Sequence, residues 1–122
     1  MNSSTLTAYI DFGSQPSRAV FVYLKLSKIP FTLKEMSLMN LDHRSPEYRK
    51  INPNMKVPAI THGGLSLFES HAILRYLHAV SPDQVALDHW YPKDPAKRAK
   101  VDEYLDWHHS NLRQGAEGFM LA

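Results

Sequence analysis

The chain has 122 residues, 43% of them hydrophobic, and 14 basic side chains against 12 acidic ones give a formal net charge of +2. So balanced a charge offers no basic stripe for nucleic acid, and no apolar run approaches a membrane span. Cysteine is absent, which removes disulfides, thiolate metal sites and any thiol nucleophile supplied by the protein.

The opening MNSSTLTAYID lacks a basic segment followed by a long apolar core, so no secretory leader is expected and a cytoplasmic location is the default. TLTAYI, Thr5 to Ile10, alternates and is rich in β-formers, so a strand is predicted. DFGS has turn chemistry. From Pro16 the spacing becomes helical, with Ala19, Tyr23 and Leu26 recurring beside Val20 and Leu24. Proline suits a first helical turn, and KIP ends the helix because the residue before a proline avoids the α region. FTLKEM, Phe31 to Met36, predicts a second strand. NLDHRSPEYRKINPN reads as a loop with one helical turn from Glu47 to Ile51. Strands VPAI and LSLF then flank THGG, and a helix from Glu69 to Val80 sets Ile73, Leu77 and Val80 on one face.

The order strand, helix, strand implies a parallel pair, and the hairpin adds antiparallel strands, giving a small mixed sheet faced by helices. Ser81 to Pro95 carries three prolines and reads as a linker. Beyond it, a helix over AKRAKVDEYLDWHHSNLRQG places Val101, Leu105 and Leu112 at helical spacing. An apolar face without a partner helix suggests the start of a second, incomplete domain. The expected domains are 1–82 and 95–122, joined by 83–94.

Three short stretches carry candidate chemistry. Pro58 stands at the start of a strand, where its missing N–H is tolerated because the strand stops pairing. It is either a plain trans edge proline or a cis proline that leaves the Val57 backbone open to an added extended peptide. Glu69-Ser70 opens a helix directly after a strand. The pair either caps that helix, or offers a carboxylate and a hydroxyl to the ammonium and carboxylate of an amino-acid head. Ser14 precedes the Pro16 helix, as an N-cap or as a hydroxyl aimed at an anion. Together the stretches describe a slot for a small peptide with a free α-amino-acid end.

DFGSQPSRAVFVYLK, NPNMKVPAITHGGLSLFESHAILRYL and DHWYPKDPAKRAKVDEYLDWHHSNLRQGA resemble the theta-class glutathione transferases, and the last segment is most similar to plant members. The resemblance runs from about the first strand to the end of the chain. It implies a thioredoxin-like domain of order β-α-β-α-β-β-α, followed by the beginning of an all-helical domain. It implies a cis Pro58, with Val57 pairing the cysteinyl part of glutathione and Glu69 and Ser70 holding the γ-glutamyl end. His43, Arg44 and Lys56 then lie where the glycine end binds, and Ser14 matches the catalytic serine with Gln15 beside it. Glutathione is implied as co-substrate, with no prosthetic group. A small electrophile or an organic hydroperoxide is its reaction partner, and the full-length family form is a homodimer. Full-length relatives could carry a peroxisomal or nuclear address.

In this reading Ser14 donates a hydrogen bond to a glutathione thiolate and is not itself a nucleophile. No Gly-x-Ser-x-Gly elbow supports acyl transfer. A glutaredoxin or thioredoxin shares the implied fold but needs a cysteine near Ser14. The remaining rival is a glutathione-binding or dimerising module without catalysis. No metal site is expected. His71 and His78, seven residues apart, are ~10.5 Å apart along a helix axis, too far for one ion with ligand bonds near ~2 Å.

Overall fold

The computed structural model describes residues 5–83 and 87–112 and forms two compact units, Met1–Gln84 and Val85–Ala122. In the first unit the order is β1 (Leu6–Ile10), α1 (Gln15–Ser27), β2 (Phe31–Glu35), a 3-10 turn (Asp42–Arg44), α2 (Pro46–Ile51), β3 (Ala59–His62), β4 (Leu65–Phe68) and α3 (Ser70–Val80). The sheet runs β2-β1-β3-β4, with β1 and β2 parallel and the other neighbours antiparallel. This is the thioredoxin-like order expected from the sequence.

β1 is the strand on which both cores are built. Leu6, Ala8 and Ile10 point to one face and join Ile60 with Val20 and Leu24 of α1 and Ile73 and Leu77 of α3. The other face meets α2, where Met36, Tyr48 and Ala59 form a second cluster edged by Tyr9, Ile51, Val57 and Phe68. A strand's period of two sends alternate residues to opposite helical layers.

Two helix faces differ from expectation. In α1, Val20 and Leu24 are buried, but Leu26 is 45% exposed. The buried stripe runs Ser17, Val20, Leu24, Ser27, so two serines hold positions where apolar counting sees nothing. In α3, Ile73 and Leu77 are buried and Val80 is 38% exposed. His78 takes the inner position instead, its Nδ1 2.9 Å from the Tyr23 hydroxyl of α1. The Tyr23 hydroxyl and the His78 Nδ1 satisfy each other there, which helps a histidine take the inner position in place of a valine.

β3 begins only at Ala59, after a cis Val57–Pro58 bond. The β3–β4 turn places Gly63 at φ 63°, the left-handed region that glycine enters without steric cost.

The β1–α1 loop is tied down by one carboxylate. Asp11 Oδ1 accepts the Gly13 amide at 2.8 Å, and Oδ2 accepts the Leu38 amide at 2.9 Å. The Leu38 and Gly13 amides hold the Asp11 carboxyl below its ordinary 3.8, against a smaller opposing effect of burial. Arg18 Nη1 donates to the Phe12 carbonyl at 2.8 Å. The Phe12 ring meets Phe21 edge-on at 5.0 Å, and Phe21 meets Phe31 at 6.1 Å.

In the second unit, α4 (Pro95–Trp107) opens on an Asp94 N-cap, whose side chain accepts the Lys97 amide at 3.0 Å. The stretch before it is tied to this helix. Arg98 donates to the carbonyls of Pro92 and Tyr91, its guanidinium lies 4.0 Å from the Tyr91 ring centre, and the Tyr91 hydroxyl donates to Asp102. The α-helix gives way to a π turn over His108–Leu112. A π turn rotates fewer degrees per residue than an α-helix, so Leu112, 45% exposed, leaves the expected stripe of Val101 and Leu105. Residues 113–115 of the predicted helix lie outside the described residues. Among the described residues no helix is long and apolar enough to cross a membrane.

Ser17 is 0% exposed, and its hydroxyl has no hydrogen-bond partner among the described residues. Ser17→Ala removes an unsatisfied buried group and is expected to stabilise the first unit by ~1 kcal/mol. That corresponds to a rise of about 4–8 °C in melting midpoint, and a fall on thermal unfolding contradicts the account. Asp11 predicts a pH effect of definite sign. A lowered carboxyl contributes stability above its unfolded value of ~3.9 and loses it as pH falls through the folded value. The native chain should therefore be more stable than Asp11→Ala in urea at neutral pH, with the difference shrinking below pH ~4; a pH-independent difference refutes this role.

Candidate functional site

Strand register gathers the predicted residues. Tyr9 of β1 faces Ala59 of β3, and Ala59 faces Phe68 of β4. One step beyond this row, β1 runs out into the 11–14 loop, β3 is entered from Val57–Pro58, and β4 leads into Glu69. β2 ends beside β1, with Glu35 level with Ile10. The connections bearing Ser14 and Gln15, His43 and Arg44, Lys56 and Val57, and Glu69 and Ser70 all leave the sheet at this end. Crevices outside the carboxyl ends of parallel strands are where open α/β sheets bind ligands.

Ser14 is the N-cap of α1. Its Oγ accepts the Ser17 amide at 3.3 Å, its own amide reaches the Asp11 carbonyl at 2.9 Å, and its carbonyl takes the Arg18 amide at 3.0 Å. The capping alternative is therefore the one observed, yet it uses only a lone pair. The Ser14 hydroxyl hydrogen is bonded to no acceptor among the described residues. Capping and donation to an anion are compatible at this oxygen. Gln15 follows as the first residue of α1 and is exposed.

Glu69 shows the reverse. It occupies the N-cap position of α3, but its side chain makes no capping bond. The helix predicted to begin at Glu69 begins at Ser70. Glu69 adopts φ 78° and ψ 110°, a conformation that costs a non-glycine residue ~1–3 kcal/mol and clusters at functional sites. Its exposed carboxylate is free of the helix, and Ser70 beside it is buried as the first helical residue. Uncapped first-turn amides and the helix dipole together favour an anion.

The glycine-end candidates form a looser group. His43 is half-buried in the 3-10 turn, and its Nδ1, shielded from solvent, has no partner among the described residues. Arg44 and Lys56 are exposed. Among the described residues none of the three makes an ion pair. The loops are linked through Asp11, which binds the Leu38 amide, and through Asp42 Oδ2, which accepts the Ser37 amide at 2.8 Å.

Sequence reasoning missed three residues that shape this end of the sheet. Asp11 was legible in part, because an aspartate two residues before a glycine is a turn signal. Tyr48 and Asn52 were not. Both hydrogen-bond the Lys56 carbonyl, Asn52 Nδ2 at 2.9 Å, and a helical residue and the C-cap four positions later gave no cue to that shared acceptor. A cleft of about 500 Å³ whose lining includes Tyr9, Lys34, Glu35, Met36, Tyr48 and Ile51 contains none of the predicted site residues.

Residues 4–79 match the family Glutathione S-transferase, N-terminal domain. Glutathione S-transferase T1 of Arabidopsis thaliana is 53% identical over 116 residues, which are 95% of this chain and 46% of that protein. The apo structure of human glutathione S-transferase T1-1 aligns with a TM-score of 0.79 at 44% identity, over 88% of this chain and 44% of that one. Human glutathione transferase theta-2, solved in complex with glutathione, aligns at 0.78 and 42% identity, over 85% of this chain and 42% of that one. The chain thus spans less than half the length of these relatives. It belongs to the glutathione S-transferase family, carrying that family's N-terminal domain, and theta-class members are among its relatives.

Proposed function

We propose that this chain binds glutathione and, as part of a theta-type transferase, activates its thiol for attack on electrophiles or organic hydroperoxides. The observation that carries the reading is the strand row Tyr9–Ala59–Phe68, because it sets Ser14, Val57 and Glu69-Ser70 at one end of one sheet. Human theta-2, with bound glutathione and 42% identity, supports the choice of ligand.

In this reading the Val57 backbone pairs the cysteinyl residue as an added strand would. Glu69 takes the γ-glutamyl ammonium. The Ser70 hydroxyl and the α3 N-terminus take its carboxylate. His43, Arg44 and Lys56 face the glycine carboxylate, and Gln15 adds a polar contact near the sulfur.

Energetics permit a single hydroxyl to do the activation. A free thiol has a pKa of ~8.5, and lowering it by two units needs ~2.7 kcal/mol. A hydrogen bond to a charged acceptor supplies ~1.5–3 kcal/mol, and a helix N-terminus adds ~0.3–1 kcal/mol. The Ser14 O–H at the start of α1 provides both, so no perturbed general base is needed. The thiolate then forms a sulfur–carbon bond and expels a leaving group. With a hydroperoxide it takes the terminal oxygen and releases the alcohol, and a second glutathione converts the sulfenic acid to disulfide and water.

Two measurements test the reading. Titration with glutathione should show saturable binding, and conjugation to an aryl or alkyl halide together with hydroperoxide reduction should show turnover. Binding without turnover assigns the chain as a glutathione-binding module; absence of binding refutes the proposal. Ser14→Ala is expected to lower turnover ~10–100-fold, as loss of one charge-assisted bond implies, with little change in glutathione affinity. Full activity with an unshifted thiol pKa rules out Ser14 as the donor.

A further inference from the structure

The segment between α2 and β3 is held by two buried side chains that converge on one atom. The Lys56 carbonyl oxygen accepts from the Tyr48 hydroxyl and from Asn52 Nδ2, the latter at 2.9 Å. Tyr48 is 2% exposed and Asn52 1%. A carbonyl oxygen has two lone pairs, so the pair of donors occupies both. Each donor is itself fixed. Asn52 Oδ1 accepts the Asn54 amide at 2.8 Å, its own amide donates to the Tyr48 carbonyl at 2.8 Å, and its carbonyl accepts the Met55 amide at 2.9 Å. The Tyr48 ring packs against Tyr9 at 5.7 Å and against Met36 and Ala59. Burial pushes the Tyr48 hydroxyl up to about 12, so it remains a donor throughout the neutral range. Met55 accepts a left-handed conformation, φ 53°, to complete the turn.

In a planar trans peptide the N–H points opposite to the C=O. The Lys56–Val57 bond is trans, since the cis bond here is Val57–Pro58. Holding the Lys56 oxygen toward α2 therefore turns the Val57 N–H to the opposite side. That N–H meets no acceptor among the described residues. An unpaired amide held in one direction is what an incoming extended peptide requires.

We propose that Tyr48 and Asn52 are positioning residues for the peptide ligand, fixing the Lys56 carbonyl so that the Val57 amide is presented in a single orientation. The inference rests on the reading above that glutathione lies along Val57, and it adds the device that orients the docking backbone. It assigns no chemistry to either side chain. The cost of ordering the 52–57 segment is met on folding rather than on binding.

The test is glutathione titration of the native chain, Tyr48→Phe and Asn52→Ala, with the thiol pKa of bound glutathione and the Val57 amide resonance read alongside. Tyr48→Phe keeps the ring and the Asn52 bond, so it remains folded should Asn52→Ala not. Expected are ~3–10-fold weaker binding in Tyr48→Phe and a larger loss in Asn52→Ala, as removal of one and then the better-networked bond implies. The Val57 resonance should shift in both. The bound thiol pKa should stay at its native value, because Ser14 is untouched. Native affinity in folded Tyr48→Phe, whatever its melting midpoint, overturns the proposal and reduces the pair to a structural role. Absence of glutathione binding by the native chain instead refutes the reading on which the proposal rests.

Discussion

The pairing of Tyr9 with Ala59, and of Ala59 with Phe68, is the constraint on which the rest of the first unit depends. β1 is flanked on both sides and covered on both faces, so its register cannot slip without sending Leu6, Ala8 and Ile10 away from α1 and α3. A one-residue shift would also carry Tyr9 out of the α2 cluster. Two cores, built on opposite faces of one strand, fix the same alignment. The same alignment sets which loops share an end of the sheet.

At that end of the sheet the backbone takes two uncommon conformations. Glu69 and Met55 stand at positive φ without being glycine. Such conformations persist where the surroundings over-determine them. For Met55 the surroundings are the Asn52 carbonyl and the Lys56 anchor. For Glu69 they are β4 on one side and the first turn of α3 on the other. Both conformations turn the chain where it leaves or enters the sheet. The Glu69 carboxylate is kept off its own helix, and the Val57 amide is kept off its own sheet.

Two polar hubs keep the loops in place with little apolar area. Asp11 joins the β1–α1 loop to the segment after β2 through two amides. Asn52 does the same between α2 and β3, with all of its backbone and side-chain polar groups bonded. Most buried loop amides need a partner, and a single carboxylate or carboxamide offers several bonds at once. Ser14 follows the same economy, since one oxygen caps α1 while its hydrogen meets no acceptor among the described residues.

Much of this architecture was legible in the chain itself. Alternation gave β1, helical spacing gave Val20 with Leu24 and Ile73 with Leu77, and Gly63-Gly64 gave the hairpin turn, because these signals are local consequences of period and backbone freedom. Val57-Pro58, Glu69-Ser70 and Ser14 could be named as candidates for the same reason: proline, helix starts and N-caps are local chemistry. Only tertiary structure could decide that Leu26 and Val80 stay outside while Ser17 and His78 go in, since that depends on which neighbour meets each helix face. Only it could show Tyr48 and Asn52 closing on the Lys56 oxygen, an acceptor that carries no side-chain signature. Local sequence specifies conformational preference; which groups meet across the sheet end is set by strand register and by packing on both faces of β1.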